Sequence, residues 1–239
     1  MRILCIIPAR GGSKRLPNKN LMAIGGESLI KRSADSLKDI NEIQDILVSS
    51  DSDEIINHAK KIGLSAPWVR PKNLSGDEAK SIDVVLHALE WYEANVMNVD
   101  AVLLLQPTSP FRKKSSILRA IDILNKSDCK SVISVNLTHS HPKWTFKYFG
   151  EYLETFIDDG GLNTRSQDLD PAYVVNGNIY LIRTAAIKEH KSFFTDKTMP
   201  CILDDNIECI DIDTADDLEL ANYYFNSGIW LKRLKDEDK

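Results

Sequence analysis

Two groups of side chains in this 239-residue chain have types and spacings that could do chemistry. The first is Pro8-Ala9-Arg10-Gly11-Gly12-Ser13-Lys14-Arg15-Leu16-Pro17-Asn18-Lys19-Asn20, which follows the apolar run Ile3-Leu4-Cys5-Ile6-Ile7. That run reads as a buried parallel strand. A glycine loop leaving such a strand can aim backbone N–H groups at an anion, and Arg10, Lys14, Arg15 and Lys19, with Arg2 across the strand, would neutralise it. A polyphosphate is the implied ligand. The string is neither a Walker loop, G-x-x-x-x-G-K-[ST], nor a dinucleotide fingerprint, G-x-G-x-x-G, and Gly25-Gly26 lie too far on to complete the latter. A mobile basic surface loop is the alternative, but Pro8 and Pro17 stiffen the segment, which a connector would not require.

The second group is Asp211-Ile212-Asp213. Acids at i and i+2 of a strand face the same side and suit a hard divalent cation shared with nucleotide phosphates. They could instead cap the helix that begins at Thr214-Ala215-Asp216-Asp217, but a basic phosphate loop in the same chain favours the metal. Asp204-Asp205 reads as a solvated turn. Gln106 follows the apolar run 99–105, and Pro107 and Pro110 fix the loop beyond it. A neutral amide at that strand end can bond a sugar hydroxyl without adding charge. His139 and His141 alternate on one extended segment with no acidic third ligand nearby, as ordinary hairpin histidines do.

Positioning these groups takes alternating strands and helices. Periodicity predicts helices over 29–37, 52–62, 81–94 and 117–124, a short one from Ala185 and a C-terminal one from Ala215. Strands are expected over 3–7, 43–50, 66–69, 99–105, 131–135, 173–182 and 207–212. Such alternation implies an α/β fold, a parallel sheet covered by helices on both faces. The pattern breaks at 142–157, where Trp144, Phe146, Tyr148, Phe149, Tyr152 and Phe156 alternate with polar residues as in an antiparallel hairpin. Residues 232–239 read as a charged, solvated tail.

The length fits one large domain, here 1–239 with an insertion at about 139–170. With 43% hydrophobic residues the chain can bury a sizeable core, and its net charge of −5 argues against nucleic acid as a partner despite the basic loop. The N-terminal apolar run is too short for a signal peptide, and no stretch reaches transmembrane length, so no membrane partner is expected. Cys5, Cys129, Cys201 and Cys209 form no C-x-x-C pair and read as buried free thiols, which makes the cytoplasm the expected compartment.

The loop 8–20 resembles the nucleotide-binding signature of the CMP-sialic acid synthetases (acylneuraminate cytidylyltransferases). Arg70-Pro71, Leu104-Leu105-Gln106-Pro107-Thr108-Ser109-Pro110-Phe111-Arg112, Asn176-Gly177-Asn178-Ile179-Tyr180 and Ile210-Asp211-Ile212-Asp213-Thr214 continue the resemblance in one collinear register. It implies a Rossmann-like three-layer nucleotidyltransferase fold with a small antiparallel dimerisation insertion, and hence a homodimer. It also implies transfer of CMP from CTP to a nine-carbon sugar acid with release of pyrophosphate, assisted by Mg2+ (or Mn2+) on Asp211 and Asp213. By the same resemblance Ala9, Arg10, Gly11, Gly12, Ser13, Asn20, Arg70 and Ser81 hold CTP, and Arg10, Lys14, Lys19, Gln106, Asp211 and Asp213 carry catalysis. Gln106, Lys143, Arg165, Gln167, Asn176, Tyr180, Phe193 and Phe194 match sugar-site positions, Arg165 suiting a planar carboxylate. Phe193 and Phe194 read equally well as core.

N-acetylneuraminate is the expected acid, with legionaminate or pseudaminate as alternatives. Val174 stands where some relatives carry a basic residue, which leaves the choice of acid open. An eight-carbon acid, as in the KDO cytidylyltransferases, fits the basic loop but not the Gln-Pro-Thr-Ser-Pro string. A catalytically silent nucleotide-binding module would not need the acid pair.

Overall fold

The computed structural model describes residues 1–157 and 161–237. Strand β1 (Ile3–Pro8) is buried because its alternate residues find different apolar layers, Ile3, Cys5 and Ile7 in one and Leu4 and Ile6 in the other. After the basic loop, a small hairpin of β2 (Ala23–Ile24) and β3 (Glu27–Ser28) leads into α1 (Leu29–Asp35), capped by the Ser28 hydroxyl. Next come β4 (Ile43–Ser49), α2 (Asp53–Lys61), α3 (Ser81–Asn95), β5 (Ala101–Leu104), α4 (Lys114–Lys126) and β6 (Ser131–Leu137). The hairpin β7 (Phe146–Phe149) and β8 (Tyr152–Thr155) follows, then β9 (Tyr173–Arg183), α5 (Thr184–His190), β10 (Thr198–Ile202), α6 (Ala215–Asn226) and α7 (Ile229–Glu237).

The main sheet has the order β10-β6-β9-β5-β1-β4 and is mainly parallel, with β9 antiparallel to both of its neighbours. Helices α1, α2 and α4 pack on one face, and α3 and α5 on the other. The fold is thus the three-layer α/β arrangement that the alternation implies. A third apolar cluster joins Leu16 of the basic loop, Ile212 of the acid pair and Trp230 of α7. It ties the two chemically interesting segments to one end of the sheet.

Several local expectations need correction. Segment 66–69 is not a strand; Ser65 and Val69 make only isolated bridges, to Leu47 of β4 and to Ser50 just beyond it. Segment 207–212 is a turn and an extended stretch whose Ile212 N–H donates to the Thr108 carbonyl at 2.8 Å. The strand lies earlier, at β10, where Pro200 is tolerated because β10 pairs on one side only. Residues 232–237 are not a free tail but part of α7, whose Trp230 is buried and whose Arg233 pairs with Asp205. Asp205 is therefore no solvated turn residue, since it also pairs with Lys113 at 3.1 Å.

The chain leaves the sheet after Leu137 and rejoins it at Tyr173, where Thr138 N–H donates to the Ala172 carbonyl at 2.9 Å. The β7–β8 hairpin within this excursion is antiparallel, as its alternation predicts, and Tyr148, Phe149, Tyr152 and Phe156 are exposed.

Candidate active site

Two clefts meet at the carboxyl ends of β1 and β5. The first, about 420 Å³, is lined by Arg10, Ser13, Lys19 and Asn20 of the basic loop, by Arg70 to Ser81 on the opposite wall, and by Gln106, Thr108, Asp211 and Asp213 at its floor. The second, about 480 Å³, is lined by Asn136, His139, Val174, Asn176, Gly177, Tyr180 and Cys209, and it shares Gln106 and Asp211 with the first. A compartment lined by three cations, Arg10, Lys19 and Arg70, and three acids, Asp77, Asp211 and Asp213, thus adjoins one of polar and apolar side chains with Asp211 at the shared edge.

The loop is held open by protein contacts rather than by its own flexibility. Asn20 Nδ2 donates to the Arg10 carbonyl at 3.0 Å, and Ala9 N–H donates to the Ser49 carbonyl at 2.9 Å. Gly11 is required by packing: a Cβ there would stand 2.9 Å from Ser52 Cβ. Its N–H donates to Asp51 Oδ1 at 2.9 Å, and Ser13 N–H donates to the Gly11 carbonyl at 3.1 Å. These two amides are therefore engaged within the protein, and cation side chains carry more of any anion binding than a backbone cradle would suggest.

Those cations already hold carboxylates. Asp77 accepts from Arg10 at 2.9 Å and pairs with Lys14 at 2.6 Å, and the two bonds, Lys14 first, hold its carboxyl below the usual carboxylate range. Lys19 Nζ donates to Asp213 Oδ1 at 2.9 Å and to the Ile212 carbonyl at 2.8 Å, while Arg15 pairs with Asp213 at 3.3 Å. Asp77 carries no sequence signal, because its partners lie 67 residues away on another wall.

Arg70 is the most buried cation of the first cleft, at 5% exposure. Its Nη2 stands 3.6 Å from Asp51 Oδ1, an ion pair too long for a hydrogen bond, and neither Nε nor Nη2 has a hydrogen-bond partner in the protein. Burial depresses its pKa, with Asp51 opposing. These two donors are closed off from solvent behind the cleft wall, and they leave the guanidinium under-satisfied at the edge of the site. Ser81 is the first residue of α3, whose N-terminal amides lie on the same wall.

At the floor, Asp211 is pushed above its ordinary range by burial, the Thr108 hydroxyl opposing and Asp213 adding. Asp213 sits on the same cleft, its backbone N–H donating to Asp217 Oδ2 at 3.0 Å within the cap of α6. The capping reading holds for Thr214 and Asp217 rather than for the acid pair itself. Thr214 and Asp217 cap the helix, which leaves Asp211 and Asp213 facing the cleft. Among the described residues no three His, Cys, Asp or Glu side chains gather into a metal cluster.

In the second cleft, Asn176 is a structural residue as much as a lining one. Its Oδ1 accepts from Ser134 Oγ at 2.6 Å and from Asn178 N–H at 3.2 Å, and its Nδ2 faces Cys209 Sγ at 3.7 Å. Gly177 has φ +76, and a Cβ there would meet Gln106 Oε1 at 2.6 Å. Tyr180 stacks on Phe193, ring centroids 5.2 Å apart, and burial followed by Asp211 raises its pKa. Phe193 is core and Phe194 is exposed, and neither lines a cleft. Lys143, Arg165 and Gln167 also lie outside both linings, with Arg165 pairing at 3.9 Å with Asp168. His139, read from sequence as an ordinary hairpin residue, lines the second cleft. The four cysteines are free thiols, and burial pushes Cys209 up to about 11.

The family described as Cytidylyltransferase matches residues 4–232. The chain is 38% identical over 230 residues to a CMP-N,N'-diacetyllegionaminic acid synthase of Legionella pneumophila, covering 92% of this chain and 95% of that protein. It is 35% identical to a pseudaminic acid cytidylyltransferase of Campylobacter jejuni, covering 94% and 97%. With an N-acylneuraminate cytidylyltransferase of Streptococcus agalactiae it shares 34% identity, over 98% of this chain but 56% of that protein. In fold it superposes with a TM-score of 0.70 on a solved CMP:2-keto-3-deoxy-manno-octonic acid synthetase complexed with CTP, at 14% identity, over 95% of this chain and 99% of the other.

Proposed function

The chain belongs to the cytidylyltransferase family, and on that premise we propose that it joins CTP to a nine-carbon sugar acid, giving a CMP-sugar and pyrophosphate. One observation carries the reading: a cleft that brings Arg10, Lys19 and Arg70 together and a second cleft of polar and apolar side chains share Gln106 and Asp211 at their junction. In such a reaction the anomeric oxygen forms a bond to the α-phosphorus, the bond to pyrophosphate breaks, and the hydroxyl proton leaves. In-line displacement depends on positioning and charge neutralisation. Arg10, Lys14 and Lys19 bind the phosphates once Asp77 and Asp213 release them, and Arg70 adds a cation to the wall on the nucleoside side. Gln106 orients the sugar acid at the junction.

Asp211 and Asp213 would hold Mg2+ or Mn2+. The donor set fits, because two carboxylates on one wall leave oxygen positions for nucleotide phosphates and water, which is how Mg2+ is commonly bound. When bound, such a cation screens the triphosphate and polarises the attacking hydroxyl.

For the acid, the reading moves from N-acetylneuraminate to a legionaminate- or pseudaminate-type compound. The two relatives named for such acids are more similar over their full length than the N-acylneuraminate relative. Val174, Val175 and Ile210 add an apolar wall to the second cleft, where an acyl methyl would be better placed than a hydroxyl. The test is pyrophosphate release from CTP with N,N'-diacetyllegionaminate, pseudaminate, N-acetylneuraminate and KDO in parallel. Highest kcat/KM with either of the first two supports the reading. Preference for N-acetylneuraminate would restore the earlier expectation, and turnover with none would refute the assignment.

The exposed aromatic hairpin supports a twofold homodimer, since so large an apolar patch is unusual on a monomer. In that arrangement Lys143, Arg165 and Gln167, remote from their own clefts, would serve the neighbouring subunit's sugar site.

A further inference from the structure

The ladder between β5 and β9 pairs Leu104 with Tyr180 and stops there. Continued in the same register it would place Gln106 opposite Asn178. Instead the strands part, and one guanidinium fills the fork. Arg112 Nε donates to the Asn178 carbonyl and Arg112 Nη2 to the Gln106 carbonyl, both at 2.9 Å. Its third arm, Nη1, reaches Ser33 Oγ of α1 at 3.3 Å. On the other side of the bulge the β6–β9 register also shifts, and Ser134 Oγ accepts from Ile179 N–H at 2.7 Å in place of a strand neighbour. Asn178 Nδ2 donates to the Glu208 carbonyl at 2.8 Å, just ahead of the acid pair.

We propose that Arg112 is a positioning residue: by bridging the carbonyls of Gln106 and Asn178 it holds the β5–β9 fork open and keeps the Gln106 side chain at the junction of the two clefts. The inference rests on the proposed sugar-nucleotide reaction for its consequence, though not for its geometry. Without the bridge the buried Asn178 carbonyl loses the Arg112 donor, the Gln106 carbonyl is left with the Ser109 N–H at 3.3 Å, and the ladder can close by one more pair. Either change moves the backbone that carries Gln106 and brings Gly177, already limited to glycine by Gln106 Oε1, into its path. Guanidinium geometry is needed because a lysine ammonium cannot serve two carbonyls and a hydroxyl in one plane. The Arg112 charge is nearly fully buried, and burial draws its pKa down to about 10, so the residue is retained at a site that disfavours it.

The test compares wild type, Arg112→Lys and Arg112→Met. Calorimetry gives CTP affinity without the acid, and steady-state kinetics give kcat/KM for the acid. The expected result for Arg112→Lys is a fall of about tenfold or more in kcat/KM for the acid, with CTP affinity within about threefold, as sub-ångström misplacement of a junction residue would produce. Adding Gln106→Ala to Arg112→Lys should cost little more, because both act through one side chain. Full additivity, or a loss confined to thermal stability, would overturn the proposal. If both Arg112 variants fail to fold, Ser33→Ala removes only the third support. A measurable fall in acid kcat/KM at unchanged CTP affinity then upholds the clamp, and an unchanged value overturns it. If the wild type turns over no sugar acid, the functional reading fails separately. The clamp is then read from the Gln106 side-chain amide resonance, identified by its loss in Gln106→Leu. Its displacement in Arg112→Lys supports the proposal, and an unmoved resonance refutes it.

Discussion

Replacing Arg70 by Met separates ligand binding from folding in an unusual direction. The side chains are similar in length, so the substitution removes charge and donors while keeping volume. The guanidinium is buried at 5% exposure, with Nε and Nη2 unsatisfied and Asp51 3.6 Å away. Leaving a buried donor unpaired costs about 1–3 kcal/mol, so removing these donors relieves the folded protein by a comparable amount. The opposing loss is the long pairing with Asp51, which stays 28% exposed and keeps the Gly11 amide, so it falls short of the about 3–5 kcal/mol lost when a fully buried pair is broken. Net stability should hold or rise, with Tm no lower than wild type by more than about 4 °C for a chain of this size. CTP should bind worse, because the cleft loses a lining cation and a charge-assisted bond contributes about 1.5–3 kcal/mol, or roughly 10- to 150-fold in Kd. Titration calorimetry with CTP and Mg2+, alongside a thermal scan, measures both. A Kd within twofold of wild type, or a Tm lower by about 8 °C or more, would show that Arg70 is a core element rather than a ligand group.

Asp213→Ala should abolish Mg2+-dependent pyrophosphate release while leaving the circular dichroism spectrum unchanged, since the side chain faces the cleft and its backbone cap with Asp217 remains; near-parental activity would end the metal assignment. Asp77→Asn should lower the KM for CTP by about two- to fivefold at low salt, because Arg10 and Lys14 no longer hold a competing carboxylate; a higher KM would mean that Asp77 serves the bound nucleotide instead. If the hairpins pair two subunits and Arg165 acts across the dimer, mixing inactive Asp213→Ala with inactive Arg165→Ala should restore activity to one of the two sites. A monomer by light scattering, or no recovery after verified mixing, would remove that arrangement.

Residue types and their spacing specify local structure here. Alternation of Ile3, Cys5 and Ile7 with Leu4 and Ile6 marks a strand buried on both faces, and the tertiary structure supplies a layer for each set. Ser52 and Thr214 act as the helix caps their types imply, and the break in alternation after 142 is the β7–β8 hairpin. The basic loop and the acid pair were legible because their residue types are unusual for their positions. Their partners were not. Asp77 meets Arg10 across 67 residues, Asp213 meets Lys19 across 194, and Arg112 finds Asn178 across 66. Segment 207–212 is as apolar as a strand, yet it runs along the cleft held by separate bonds from Asn178, Lys19 and its own Ile212 N–H to Thr108 rather than by a ladder, while the proline-bearing segment before it takes the sheet edge. Periodicity reports how a segment is buried, whereas the identity of its neighbour depends on sheet order. That order brings the ends of β1, β5 and β9 to one place, and it decides which charged and polar groups must satisfy one another there.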